Sequence, residues 1–264
     1  MLGAVIGDII GSRFEANPVK TTEFDLFTRN NSFTDDTVLT LAIACSVLRG
    51  EDYGENLRFF GNEYPYAGYG GTFMRWLAGM IKGPYGSWGN GSAMRVSPVG
   101  WAFDSISNVL KEAEKTAIPT HDHPEGIKGA QATAISVFLA RKGYSKNEIA
   151  DYIQKTFQYD LNRKLNDIRK NYSFEVSCQH SVPESIIAFM ESDNYESSVR
   201  NAVSLGGDTD TMACISGAIA EAYYKNIPEE ITQKAYDFLP GEFVEIIEEF
   251  HNKYVNYQEG SSSG

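Results

Sequence analysis

Apolar residues recur along this chain at helical intervals. Val38, Leu41, Ala42, Cys45 and Leu48 follow an i, i+3, i+4 rhythm, which predicts a helix burying one stripe. The same rhythm returns at Ala130, Ala134, Val137 and Phe138, at Ile186, Ile187 and Met190, and at Met212, Ile215, Ile219 and Tyr223. Phe243, Ile246, Ile247 and Phe250 predict a last amphipathic helix. Pro228 followed by Glu229 and Glu230 marks a helix start, with proline near the first turn and acids facing the dipole. Strand signals are thin. Residues 172–178 read as a short extended piece, and no sustained alternation or βαβ rhythm appears. The pattern predicts an all-α fold.

Glycine is concentrated in Gly68-Tyr69-Gly70-Gly71 and in 83–91, where Gly86, Ser87, Trp88, Gly89, Asn90 and Gly91 run together. Both segments carry aromatics, which a flexible linker would not. Glycines there let a ligand approach the backbone closely. Nothing divides the chain, so one domain is expected over 1–258, with a tail over 259–264 outside the fold. Residues 160–172 are polar and basic and predict an exposed helix or a flap.

Composition narrows the classes. The 264 residues are 42% hydrophobic and 22% charged, ordinary values for a globular protein. A formal charge of −12 repels phosphate backbones, which disfavours nucleic acid as a partner without excluding an anionic ligand neutralised by bound cations. The odd count of three cysteines, with no CxxC, argues for a reducing compartment; Cys45 and Cys214 read as small buried residues. The apolar N-terminus is interrupted by Asp8 and has no basic leader, and no segment is long enough to span a bilayer. A cytoplasmic monomer is the expectation.

The candidate chemistry lies in two acidic helix starts. Thr34-Asp35-Asp36-Thr37 precedes an apolar helix. Taken alone, this is a capped start, with Thr34 as N-cap and two aspartates favouring the dipole. Asp208-Thr209-Asp210-Thr211 follows Gly206-Gly207 and opens a helix rich in small residues (Ala213, Ser216, Gly217, Ala218, Ala220). Such a helix packs closely and is central, so its start is sheltered. Sheltered aspartates stay ionised only when paired or metal-bound. Glu15, at the end of a glycine-spaced apolar segment from Gly7, adds a fifth carboxylate. Carboxylate and threonine oxygens suit Mg²⁺, Mn²⁺ or Ca²⁺. Five negative charges nearly balance two divalent cations, which favours a pair.

Several separate motifs in order extend this: Gly7-Asp8 to Glu15, 33–37, Gly89 to Arg95, Thr120-His121 and 205–211. Together, over nearly the whole chain, they make the sequence resemble the ADP-ribosylglycohydrolases, which include the dinitrogenase reductase-activating glycohydrolase. The resemblance implies an orthogonal multi-helix bundle around two Mg²⁺ or Mn²⁺. It implies metal ligands at Thr34, Asp35, Asp36, Asp208, Asp210 and Thr211, and catalytic roles for Glu15, Asp36 and Asp210. It implies that Gly86, Ser87, Trp88, Gly89, Asn90, Gly91 and His121 contact an ADP-ribosyl group. Where the family often has tyrosine, this chain has Trp88. Tyr69 and Phe73 offer rings for adenine, with core packing the plainer fate for Phe73. For His121-Asp122-His123, the plain reading is a loop histidine beside a capping aspartate. The role of Arg95 stays open.

The implied reaction is hydrolysis of the bond from C1″ of ADP-ribose to an acceptor on a protein or small molecule. A metal-dependent HD-type phosphohydrolase built on His121-Asp122 would need more histidines than the four present. A non-catalytic ADP-ribose binder is the other alternative, against which both acidic clusters stand intact. The chemistry of 66–69 and 177–180, the segments expected to meet the acceptor, does not decide its identity.

Overall fold

A computed structural model describes residues 1–255; the tail at 259–264 lies outside the described residues. Fifteen α-helices follow one another among them. The first eight are α1 (Leu2–Gly11), α2 (Asp35–Arg49), α3 (Tyr53–Glu63), α4 (Gly71–Leu77), α5 (Gly91–Met94), α6 (Ser97–Ala102), α7 (Ile106–Ala117) and α8 (Pro124–Arg141). The rest are α9 (Lys146–Phe157), α10 (Leu165–Asn171), α11 (Cys178–Met190), α12 (Tyr195–Val203), α13 (Thr209–Tyr224), α14 (Glu229–Tyr236) and α15 (Gly241–Phe250). The expected all-α class holds. Strand pairing among the described residues is a single bridge between Gly89 and Ser177, so the extended 172–177 segment pairs at one point. No helix there is long and apolar enough to cross a membrane.

The centre of the fold is the α1–α13 pair. Both are buried on all sides over nearly their whole length. Helices without a polar face have to be enclosed, and α2, α8, α11 and α12 enclose this pair. Gly3, Gly7 and Gly11 form one stripe on α1 against Gly217, Ala213 and Thr209 of α13. A Cβ at Gly7 would stand 2.1 Å from the Ala213 carbonyl oxygen, and one at Gly11 2.4 Å from that of Thr209. The helices therefore approach backbone to backbone. Thr209 Oγ1 completes the seam by donating to Gly11 O at 2.9 Å. This contact places the C-terminal half of α1 beside the start of α13.

The sequence-predicted stripes bury as expected: Val38, Leu41, Ala42, Cys45, Ile187, Ile215 and Phe250 all lie in one hydrophobic cluster. Cys45, Cys178 and Cys214 are free and buried. Residues 165–171 form the exposed helix α10, and Arg163 ties this region to Glu184 at 2.5 Å.

Candidate metal centre and ligand cavity

Asp8 sits in the middle of apolar α1 and is fully buried. Its carboxylate accepts four hydrogen bonds from the start of α2. The Thr34 N–H and hydroxyl donate to it at 2.9 and 2.7 Å, and the Thr37 N–H and hydroxyl at 3.1 and 2.5 Å. An orphaned helix N-terminus needs acceptors, and here a carboxylate from another helix supplies them. Thr34 also caps α2 in the expected way, its oxygen accepting from the Asp36 N–H at 3.3 Å.

The second acidic segment is shaped by glycine. Gly206 has φ of +64°, a left-handed turn that favours glycine, two residues before Asp208. Gly207 leaves room for the Tyr172 ring, which a Cβ would approach to 2.3 Å. Asp208 is the N-cap of α13 but its side chain caps nothing; it accepts from Asn90 Nδ2 at 2.8 Å. Thr211 Oγ1 donates to Asp36 Oδ2 at 3.1 Å, joining the two helix starts.

The acids converge as two groups. Asp8, Asp36 and Asp210 bring carboxylate oxygens within 4.8 Å of one another, and so do Glu15, Asp208 and Asp210. Asp210 belongs to both. Hard cations sit about 2.0–2.6 Å from each oxygen, so ligands of one ion lie up to about twice that apart. Both groups meet this spacing. Asp36 Oδ1 is buried with no partner, a lone pair left open inside the cluster. Asp35 lines the same space outside both groups, and its N–H donates to Ala67 O at 2.7 Å.

Burial and mutual repulsion raise pKa values in this cluster. Burial, and then the charges of Asp8 and Asp208, push Asp35 up to about 8. Burial and neighbouring carboxylates hold Asp36 and Asp210 well above the usual range. Asp8 rises to about 6 through burial, against the pull of its four hydrogen bonds from Thr37 and Thr34. Glu15, at the exposed edge, is raised by burial and then by Asp208 and Asp8. Carboxylates this crowded accept either protons or metal ions.

Glu15, Asp35, Asp36, Asp208 and Asp210 line a cavity of about 450 Å³, with Asp8 buried behind them. The remaining wall comes from Thr34, Leu39 and Thr211, from Ala67, Gly68 and Gly70–Phe73, from Ser87, Gly89, Asn90 and Gly91, and from Tyr85, Met94, Arg95, His121, Phe174 and Val176. His121 is buried, bonded through Nδ1 to Thr120 Oγ1 at 2.7 Å. Burial and then the Arg95 charge push its pKa well down, so it is neutral. Its Nε2 lies against Gly91.

Not every expected ligand contact lines this space. Gly86, Trp88 and Tyr69 stand outside the lining. Trp88 is 48% exposed, and Tyr69 is buried in a stack with Phe73 at 5.2 Å between ring centres. The N–H groups of the 86–91 loop are largely engaged already: Gly86 to Asp122 Oδ1, Ser87 to Thr120 O, Gly89 to Ser87 Oγ and Asn90 to Val176 O. The expected cap at Asp122 is corrected as well. His123 is the N-cap of α8, its Nδ1 accepting from the Glu125 N–H at 3.1 Å. Asp122 is spent on Gly86 instead.

The family model described as ADP-ribosylglycohydrolase matches residues 1–261. The chain belongs to the ADP-ribosylglycohydrolase family. The ADP-ribosylhydrolase ARH3 of Homo sapiens is 29% identical, with 88% of this chain and 87% of that protein covered. A putative ADP-ribosyl glycohydrolase of Acanthamoeba polyphaga mimivirus is 30% identical over 86% of this chain and 87% of its own. A solved structure titled ADP-ribosylglycohydrolase-related protein complex shares the fold, with a TM-score of 0.71 at 23% identity, covering 95% of this chain and 96% of that one. Membership in the ADP-ribosylglycohydrolase family places the chain among hydrolases of glycosidic bonds. No histidine joins either acid group, so the HD-type arrangement has no counterpart among the described residues.

Within this ADP-ribosylglycohydrolase frame, sequence reasoning undervalued two residues. Asp8 looked like an interruption of an apolar segment; the interruption itself was the signal, since an aspartate inside a buried helix requires partners. Arg95 carries no role that its place in the sequence suggests, and it is fully buried.

Proposed function

We propose that this chain is a divalent-cation-dependent hydrolase that cleaves the C1″ glycosidic bond between ADP-ribose and an acceptor. The observation that carries this reading is the pair of interlocked carboxylate groups, sharing Asp210, in the wall of a ligand-sized cavity. Two Mg²⁺ or Mn²⁺ fit the donor set of Asp8, Glu15, Asp36, Asp208 and Asp210, with Thr34, Asp35 and Thr211 adjoining. Bound cations would supply charge neutralisation and Lewis-acid binding of hydroxyl oxygens.

The chain's own residues do the rest. Asp36 and Asp210 are fixed by Thr211 and by the backbone of α13, so they need little reorganisation. Asn90 holds Asp208 in the orientation that faces Asp210. Glu15 reaches the same centre from the exposed edge with a raised pKa, which suits it to accept a proton from water attacking C1″. The glycosidic bond breaks through an oxocarbenium-like state as water adds at C1″; the proton that Glu15 takes from this water passes to the departing acceptor, and ADP-ribose leaves with the new C1″ hydroxyl. His121 presents a neutral ring to the ligand, and Ser87, Gly89 and Gly91 give it a wall without bulk. Protein side chains and small molecules are the acceptors favoured by the −12 charge.

The test is release of free ADP-ribose from a panel of ADP-ribosylated acceptors with Mg²⁺, with Mn²⁺ and with chelator. Release that depends on the cation supports the reading. ADP-ribose binding with no turnover on any acceptor sinks it and leaves a binding protein.

A further inference from the structure

Residues 64–103 contain no Asp or Glu, in a chain that has 35 of them. Glu63 and Asp104 bound the stretch. It reaches the cavity twice, through Ala67, Gly68 and Gly70–Phe73 and again through Tyr85, Ser87 and Gly89–Gly91. Most of the connection between these two walls, over 74–84, is exposed. The cavity floor is acidic, so the charge changes at this rim. Arg75 and Lys82 are exposed on it, and neither side chain makes a hydrogen bond, ion pair or ring contact among the described residues. The acids that touch the neighbouring segments are engaged. Asp122 accepts from the Gly86 N–H at 2.7 Å, Glu175 from the Ser177 N–H at 2.8 Å, and Glu242 from the Tyr64 hydroxyl.

The same rim shows large apolar side chains that folding leaves uncovered. Tyr66 is 99% exposed and Met80 76%, and Met74 and Trp88 are half-exposed. The backbone makes Met80 unusual. Helix α4 ends in a left-handed turn at Gly79, with the Gly79 N–H donating to Trp76 O at 3.1 Å and the Met80 N–H to Arg75 O at 3.0 Å. In this kind of helix end, an apolar side chain at the position of Met80 frequently folds back on the last turn. Here the facing position is Arg75, and Met80 stays in solvent. Clustered apolar groups among polar ones mark a protein interface, and methionine, tyrosine and tryptophan are enriched in such interfaces. A small-molecule acceptor would leave this surface uncovered.

We propose that the 64–88 rim is the docking face for the polypeptide that carries the ADP-ribosyl group, and that it selects an acidic segment with apolar residues. Arg75 and Lys82 meet its carboxylates; Tyr66, Met74, Met80 and Trp88 meet its apolar side chains. The ADP-ribosyl group in this statement rests on the function proposed above; the acidic segment does not. A net charge of −12 repels such a segment from the rest of the surface, so the acid-free rim also directs its approach to the cavity mouth. Nucleic acid would meet the same two cations, too few to hold a phosphate backbone against a body of that charge.

The experiment uses labelled peptides of one length with a central ADP-ribosylated serine or arginine, flanked either by Glu and Leu or by Lys and Leu. Fluorescence anisotropy in chelator reads binding without turnover. Release of ADP-ribose in Mg²⁺ reads turnover, with ADP-ribosylated free serine and arginine as acceptors that have no polypeptide. The Glu-flanked peptides are expected to bind about tenfold more tightly than the Lys-flanked ones, and the double variant Arg75→Glu, Lys82→Glu to lose that preference. Met80→Ser is expected to weaken binding of both by about fivefold. Release from the free amino acids stays at the wild-type level in every variant, and thermal melting checks each fold. No preference between the flanks overturns the proposal in the wild-type protein alone, and so does a preference that survives the charge reversal. Tighter binding of an ADP-ribosylated DNA of similar length, lost in the double variant, overturns it in favour of nucleic acid. A Glu preference that tracks Arg75 and Lys82, with no release from any acceptor, sinks the proposed function and keeps the face for an acidic polypeptide. Release at equal kcat/KM from both flanks, with no binding preference, does the reverse.

Discussion

Asn90 Nδ2 donates to Asp208 Oδ2 at 2.8 Å, tying the glycine-rich loop before α5 to the start of α13. Partners behind a metal ligand commonly change metal affinity by about 10- to 100-fold when removed. Asn90→Ala is expected to weaken Mn²⁺ binding by about tenfold, at the low end of that range, because Asp208 keeps its place at the head of α13. Titration of Mn²⁺ by calorimetry checks this, and unchanged affinity would mean that the bond only packs the loop.

Asp210 belongs to both acid groups, so among the proposed ligands it is the most consequential to neutralise. Asp210→Asn is expected to lower metal affinity and reduce turnover together by at least about a hundredfold. Turnover at wild-type level in low Mg²⁺ would show that the cluster does not carry the chemistry.

Glu15 differs in being exposed and reaching one group alone. Glu15→Gln is expected to retain ADP-ribose binding and lose about 10²- to 10⁴-fold in kcat, the usual worth of a proton-transferring side chain. A change confined to KM would reassign Glu15 to substrate binding.

Stability of the metal-free protein depends on pH through the buried acids. Asp35 titrates at about 8 in the fold, against 3.8 for the free side chain. The folded state therefore holds the proton more tightly, and its contribution to stability is full below about pH 4 and lost as pH rises through about 8. Asp36 and Asp210 shift in the same direction. Melting in chelator should fall over that window, and the rise in Tm on adding Mg²⁺ should grow with pH. A Mg²⁺ effect that shrinks towards pH 8 would contradict the arrangement.

Gly7→Ala places a Cβ 2.1 Å from the Ala213 carbonyl oxygen, where neither backbone gives way. A loss of about 3 kcal/mol is expected, the upper range for overpacking. Gly241→Ala, with nothing within 4 Å of the added atom, is the control and should be neutral within about 0.5 kcal/mol. Denaturant titration of both measures the difference.

Much of this molecule was legible from the chain alone. Helical periodicity in 38–48 and 212–223 gave the class and the buried faces, because a 3.6-residue repeat is a local property. Thr34 as a cap and the acids at both helix starts were also readable, since capping depends on neighbours in sequence. The small residues of α13 announced a close helix partner. They did not say that the partner is the glycine stripe of α1, because complementarity between surfaces is not written in either strand of text. Tertiary structure alone decided that Asp8 serves α2, that Asp210 is shared by two acid groups, that His123 and not Asp122 caps α8, and that Trp88 and Tyr69 stand outside the cavity lining. Each of these depends on which segments far apart in the chain come to lie side by side, and long-range packing fixes that through the burial of whole faces. The carboxylates were visible from the start; their convergence on one point is a consequence of two helices touching backbone to backbone.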